Sequence, residues 1–307
     1  VRTEKDFPTD WARTQNNLGV AYADLPSGDR GANLQKAIAA YEAALRVSTE
    51  KNFPVDWAQT QNKLGVAYTE LPTGDRGANL QKAIEAYEAA LRVSTEKDFP
   101  VDWAQTQNNL GLAYTQLPTG DRDANLQMAI AAHEAALRVR TEKDFPADWA
   151  RTQNDLGVAY AQLLSGDHGA NLQKAIVAYE AALKVRTEKD FPVDWARTQH
   201  NLGVSYAQLL TGDRGANLQK AIAAYEAALR VRTEKDFPVD WAKTQTSLGL
   251  LYTAIPDGSR AENLKSAKAC FEAALRIYTE ITLPNEHRDI AARLAEVENQ
   301  LRSLTSE

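Results

Sequence analysis

Phe191-Pro192-Val193-Asp194-Trp195-Ala196, then Asn201-Leu202-Gly203-Val204, then Asn217-Leu218-Gln219-Lys220-Ala221-Ile222 and Tyr225-Glu226-Ala227-Ala228-Leu229, form one phrase that recurs along the chain. The tryptophans mark its period: Trp11, Trp57, Trp103, Trp149, Trp195 and Trp241 stand 46 residues apart. The units beginning at Phe145 and Phe191 match at 38 of 46 positions. A period of this length signals stacked supersecondary units, each covering the apolar face of its neighbour, so one elongated core is expected. No composition shift or flexible linker interrupts the period, and the expectation is a single repeat domain over 1–307.

Each unit carries two helical patterns. Trp11, Leu18, Tyr22 and Leu25 fall on one face of a 3.6-residue period and define helix A, expected over 8–25. Pro8 suits a first helical position, and Asp10 meets the positive end of the helix dipole. The turn cluster Pro26-Ser27-Gly28-Asp29 ends that helix, and its Asp is placed to cap the next one. Leu34, Ala37, Ile38, Tyr41, Ala44 and Leu45 form the stripe of helix B. Glu42 and Arg46 stand four apart on its exposed side, recurring as Glu88/Arg92 and Glu134/Arg138, and are read as intrahelical pairs. Gly19 recurs inside helix A at Gly65, Gly111, Gly157, Gly203 and Gly249, although a helical glycine costs about 0.8–1 kcal/mol. That recurrence predicts two backbones passing too closely to admit a side chain.

The repeats are therefore 7–52, 53–98, 99–144, 145–190, 191–236 and 237–282. Residues 1–6 match the end of a unit and are read as the remnant of a preceding helix B, so the sequence is expected to be a piece of a longer protein. In 283–307, His287 replaces Trp and Ala295 replaces Gly, while Ile290, Leu294, Val297 and Leu301 keep an apolar face, the pattern of a capping helix.

A net charge of −6 with mixed acidic and basic residues speaks against a general nucleic-acid binder, which needs surplus positive charge to displace counterions. The single Cys270 forms no internal disulfide, and no signal-peptide core or long apolar run occurs, so a cytoplasmic protein is the default and no membrane partner is expected. His133, His168, His200 and His287 replace different residues in different units and offer no metal-ligand spacing. His133 stands where Tyr41 stands and is read as an interface residue. Cys270 has no sequence-local base. The Gly-Asp-Arg turns lack the Gly-Lys-Ser/Thr of a phosphate loop. These readings predict no enzyme, no cofactor and no metal.

Leu18-Gly19-x-x-Tyr22 followed by Ala37-Ile38-x-x-Tyr41-x-x-Ala44-Leu45 resembles the tetratricopeptide-repeat signature. The resemblance covers the whole chain and departs from the family in its longer unit and in Gln15, which holds the family's Trp position. It implies an all-α solenoid of antiparallel helix pairs wound as a right-handed superhelix. The phrases Trp-Ala-x-Thr-Gln-Asn-Asn-Leu-Gly and Gly-Asp-Arg-x-x-Asn-Leu are similar to enlarged repeats of bacterial, often cyanobacterial, proteins with CHAT protease domains, and more weakly to kinesin light chains.

In that family helix A builds the concave wall, and the matching positions form three ladders here. One is Asn16, Asn62, Asn108, Asn154, His200 and Thr246; the second is Asn17, Lys63, Asn109, Asp155, Asn201 and Ser247; the third is Arg13, Gln59, Gln105, Arg151, Arg197 and Lys243. Asn and Gln both donate to and accept from peptide backbone, and Arg grips carboxylates. The resemblance thus implies a scaffold for a protein or peptide partner, with Arg151, Arg197 and Asn201 as one candidate carboxylate clamp. A solvated wall without a ligand, a sensing or autoinhibitory arm of a larger effector such as a CHAT protease, and self-association of arrays remain as alternatives.

Overall fold

A computed structural model describes residues 3–255 and 259–305 of the chain. Every regular element among these residues is an α-helix. Val1 and Arg2 of the expected remnant, and Ser306 and Glu307 of the expected cap, lie outside them. In chain order the helices are α1 (Pro8–Ala23), α2 (Arg30–Val47), α3 (Pro54–Glu70), α4 (Arg76–Leu91), α5 (Pro100–Gln116), α6 (Arg122–Leu137) and α7 (Pro146–Gln162). They continue as α8 (His168–Val185), α9 (Pro192–Gln208), α10 (Arg214–Val231), α11 (Pro238–Ala254), α12 (Arg260–Leu275) and α13 (Pro284–Thr305). Two compact units hold them: Val1–Ser165 with α1 to α7, and Gly166–Glu307 with α8 to α13. In each unit every helix packs against the next.

Local chemistry sets the boundaries. Helix A starts on a proline whose missing N–H is no loss, with an Asp in its first turn. Helix B starts on an Asp whose carboxylate accepts from the backbone N–H three residues on, as Asp75 does from Ala78 at 2.7 Å. The glycine before that Asp has φ between +74° and +83°, a left-handed conformation that a side chain would strain. Residues 3–6 form the turn that leads into α1, closed by Thr3 Oγ1 donating to Asp6 Oδ2 at 2.6 Å. The same bond recurs from Thr95 to Asp98 at 2.8 Å.

The helical glycine has a different cause from the one its recurrence suggested. An aromatic ring of helix B, not a second backbone, fills the space beside it. A Cβ on Gly65 would lie 2.5 Å from Tyr87 Cε1, and one on Gly203 would lie 2.7 Å from Tyr225 Cε1. His133 takes the ring's place over Gly111, and Phe271 does so over Gly249. Each ring is buried, and around it the leucines at the start of helix B are sealed from water: Leu34, Leu80 and Leu126 are all 0% exposed. In the first unit the resulting core runs without interruption from α2 through α6. In the second, α13 packs Ile290 and Val297 against Leu264, Phe271 and Tyr278 of the α12 repeat.

The glutamate and arginine four apart on helix B find their partners outside the helix. Arg92 turns back to Glu50, in the turn that ends the preceding repeat, with Nη2 to Oε2 at 2.9 Å. Its guanidinium lies 5.1 Å from the Trp57 ring centroid. The same staple recurs as Arg138–Glu96 over Trp103 and Arg230–Glu188 over Trp195. The Arg92 hydrogen bond holds the Glu50 carboxyl below the ordinary carboxylate range. Glu42, the other expected pair member, instead accepts from Tyr68 Oη of the next helix A at 2.8 Å, and Glu180 does so from Tyr206 at 2.8 Å. Planar guanidinium and phenol partners reachable across the seam displace the solvated i,i+4 pair. The tryptophans pack between consecutive repeats as expected: Trp57 sits on Ala89 and Ala90 of its own helix B and near Leu45 of the preceding one.

Replacing Gly65 by Ala tests the ring contact. Helix propensity alone favours Ala by about 0.8–1 kcal/mol, whereas a methyl forced against a buried ring costs about 1–3 kcal/mol. Urea denaturation is expected to show Gly65→Ala as the less stable chain.

Candidate interaction surface

Successive helices A touch along seams, α1 with α3, α3 with α5, and α5 with α7 in the first unit, and α9 with α11 in the second. Where the ladders cross a seam, their residues bond to each other. Asn16 Nδ2 donates to Thr60 Oγ1 at 2.7 Å, and Lys63 Nζ donates to Asn16 Oδ1 at 3.0 Å. Asn109 Nδ2 donates to Asn62 Oδ1 at 3.2 Å, while Gln105 Nε2 donates to Asn109 Oδ1 at 2.9 Å. Burial holds the Lys63 ammonium below the usual lysine pKa.

Three ladder residues lie inside the protein rather than on a wall. Asn108, Asn154 and His200 are 3–4% exposed. Asn108 Oδ1 faces His133 Nδ1 at 3.3 Å, and His200 Nδ1 faces Thr244 Oγ1 at 3.1 Å. Asn154 Nδ2 donates to Asp155 at 3.1 Å. The helical period brings this ladder under the neighbouring helix A, so its polar groups join helices. Arg13, Asn17, Arg151, Arg197 and Lys243 are exposed, and Asn201 is half-buried. Arg13 pairs with Asp10 at 2.9 Å and Arg197 with Asp194 at 2.5 Å, each along its own helix.

Sequence reading passed over the residue at the centre of each seam. A threonine stands three residues after each Trp; Thr14 is exposed, whereas Thr60, Thr106, Thr152, Thr198 and Thr244 are 0–1% exposed, and each hydroxyl donates to the carbonyl four residues back. At Thr152, Thr198 and Thr244 the lone pairs then receive an arginine from the turn after helix B. Arg140 Nη1 donates to Thr152 Oγ1 at 3.0 Å and its Nη2 to Gln105 Oε1 at 2.6 Å, with Asp148 at 3.9 Å. Arg186 reaches Thr198 at 3.1 Å and Arg232 reaches Thr244 at 3.2 Å, each with an Asp at 3.9–4.0 Å. The three arginines are 4–8% exposed. A guanidinium this buried is stable only with its donors satisfied and a counter-charge near. The signal was present in the sixfold Thr after Trp and in the change from Val-Ser-Thr-Glu to Val-Arg-Thr-Glu.

Two clefts open at the seams of the first unit. One, of about 290 Å³ between α3 and α5, is lined by Gln59, Asn62, Lys63, Ser94, Asp102, Gln105 and Thr106. The other, of about 210 Å³ between α1 and α3, is more apolar, with Val20, Ala23, Tyr41, Lys63, Val66 and Glu70 in its walls. Among the described residues no group of three His, Cys, Asp or Glu is placed to hold a metal ion, and no helix is long and apolar enough to cross a membrane. Burial pushes the Cys270 thiol up to about 12, away from the thiolate a nucleophile needs.

Comparison with solved structures shows the fold. The chain is similar to the assembly chaperone of RpL4 (residues 1–338), with a TM-score of 0.59 at 15% identity over 94% of this chain and 98% of that one. It also matches the C-terminal part of a TPR repeat-containing protein from Cytophaga hutchinsonii, with a TM-score of 0.47 at 14% identity over 88% and 91% of the two chains. No protein-family profile matches the sequence, and no curated protein matches it significantly. The likeness shows the fold alone, an all-α array of helix pairs that pack in succession.

Burial drives the His133 pKa down to about 4 and the His200 pKa down to about 3. Around His133, Asp155 raises and Arg140 lowers the value by smaller amounts. The unfolded imidazole titrates near 6.5, so the unfolded chain binds more protons between pH 6.5 and 4, and stability falls as pH falls through that window. His133→Tyr, which restores the residue of the other repeats, is expected to melt progressively higher than the parent as the buffer is taken from pH 7 to 4.5.

Removing the seam acceptor while leaving the guanidinium buried should cost more than removing the guanidinium. Thr152→Val is expected to lose about 1–3 kcal/mol. Arg140→Ser, which copies Ser94, is expected to lose less, and the double variant should resemble Arg140→Ser alone. A double-mutant cycle by chemical denaturation reads the coupling.

Proposed function

We propose that this chain is a non-enzymatic protein-interaction scaffold that holds a peptide or protein segment along its helix-A faces. The observation that carries the reading is the pair of neighbouring clefts at the α1/α3 and α3/α5 seams, which share Lys63 as a common wall. Packed helices lie about 8–10 Å apart. A polyproline-type peptide returns each third side chain to the same face after roughly 9 Å. Every third side chain of such a ligand therefore falls into a successive seam. Amide groups of Gln59, Asn62 and Gln105 in the α3/α5 cleft match the donors and acceptors of a peptide backbone. Of the residues expected on the wall, Arg13, Asn17, Asn62, Lys63, Asn109, Arg151, Arg197, Asn201 and Lys243 are the ones a ligand reaches, while Asn108, Asn154 and His200 support them from beneath.

A random-peptide display selection against the whole chain tests this. The selected ligand is expected to lose at least about tenfold in affinity, roughly 1.4 kcal/mol, on Val66→Arg, which plugs the α1/α3 cleft. Glu85→Lys, on the exposed face of α4, should leave its affinity unchanged. The reverse pattern would move the binding surface to the helix-B side.

A further inference from the structure

The seam between α3 and α5 lacks the arginine that fills its counterpart one repeat later. Shifting by 46 residues maps Arg140 onto Ser94, Gln105 onto Gln59, Asp148 onto Asp102 and Thr152 onto Thr106. All three groups that surround the Arg140 guanidinium are thus kept around Ser94, and the space is the cleft of about 290 Å³. Thr106 Oγ1, 1% exposed, donates to the Asp102 carbonyl at 2.8 Å, as Thr152 does to Asp148. Its lone pairs hold the position that receives Nη1 in the next repeat. The preceding seam also carries a serine, Ser48, but there the threonine is already engaged: Thr60 Oγ1 accepts from Asn16 Nδ2 at 2.7 Å.

We propose that the α3/α5 seam is a receptor for the guanidinium of an arginine side chain carried by a protein partner. The inference rests on the interaction reading above and names the chemistry that one seam selects. The protein shows the bound state three times in its own fold, at Arg140, Arg186 and Arg232, where an arginine donates to the seam threonine beside an aspartate. In the open seam Thr106, Gln59 and Asp102 take those roles for an arginine arriving from outside. Gln59 Nε2 now lies 3.5 Å from Asp102 Oδ2, so its carbonyl oxygen is available to a donor. Lys63 is the opposing charge in the lining, and its ammonium is turned toward Asn16 at 3.0 Å. The chain's net charge of −6 favours a basic partner. A lysine satisfies the seam less well, because Thr106 and Gln59 call for two donors held in a planar fork.

The test titrates the whole chain with acetyl-Ala-Arg-Ala-amide and with its lysine and citrulline counterparts, following the side-chain amide signals of Gln59, Asn62 and Gln105 by NMR. Saturable shifts are expected with the arginine peptide, several-fold weaker ones with lysine, and none with citrulline. Ser94→Arg, which copies the next repeat, should fold with a melting temperature at or above the parent's and abolish the response. Lys63→Asn, which copies Asn109, should tighten binding. Equal shifts from arginine and citrulline, or a response that survives in Ser94→Arg, would overturn the proposal. If the arginine peptide fails while the display-selected ligand still distinguishes Val66→Arg from Glu85→Lys, the receptor is wrong and the scaffold reading stands. Failure of both sinks both.

Discussion

An aromatic ring lying across a glycine fixes the distance between the two helices of a repeat, and much else is arranged around that contact. Tyr87 over Gly65 and Tyr225 over Gly203 press helix B into a notch of helix A, which is why a residue unfavourable to helices persists there. With the pair held, the leucines that open helix B are sealed from water and the outward side of helix A is left to meet the next helix A. His133 occupies the same notch at Gly111 and carries an unsatisfied Nε2, so that repeat trades a phenol for a buried imidazole that stays neutral.

The seams between successive helices A divide the work that the sequence ladders seemed to share. Their floor is polar but sealed, built from threonine, asparagine and, in three places, arginine. Their rim carries the amides and the cations that reach solvent. Because floor and rim alternate along a single helical face, a change of one residue at the floor alters what the rim can hold without disturbing the apolar contacts between helices A and B. The proposed recognition surface therefore lies on the side of helix A that the core does not use, a separation of recognition from stability that suits an array of nearly identical units.

The period and the two helical stripes were readable because apolar spacing and Pro, Gly and Asp punctuation are local. Pro8, Asp29 and Gly28 act within a few residues of themselves, and the fold honours them. Partners across the seam were not readable, since a side chain's choice among nearby groups depends on distances that spacing does not give. Arg92 stood four residues from Glu88, yet it selects Glu50 and the face of Trp57, which one sequence position cannot reveal. The asparagine ladder shows the same limit: Asn16 and Asn108 hold equivalent positions in their helices, yet Asn16 is half-buried and Asn108 is covered, a difference that their neighbours set and spacing does not. The threonine after Trp was visible six times, five of them buried, and lacked only a reason to be noticed, because threonine in a helix is ordinarily a solvent-facing residue of no consequence.

The sameness of the seam acceptors has a consequence for how such an array changes over generations. An Asp in the first turn of helix A and a Thr one turn later occur in every repeat, so the turn of any unit, whether it carries serine or arginine, finds a suitable partner in whichever unit follows. Unequal recombination between units that match at 38 of 46 positions would add or remove a whole repeat and still leave each junction chemically complete. The length of the array and the order of its open and filled junctions can then drift independently of the fold.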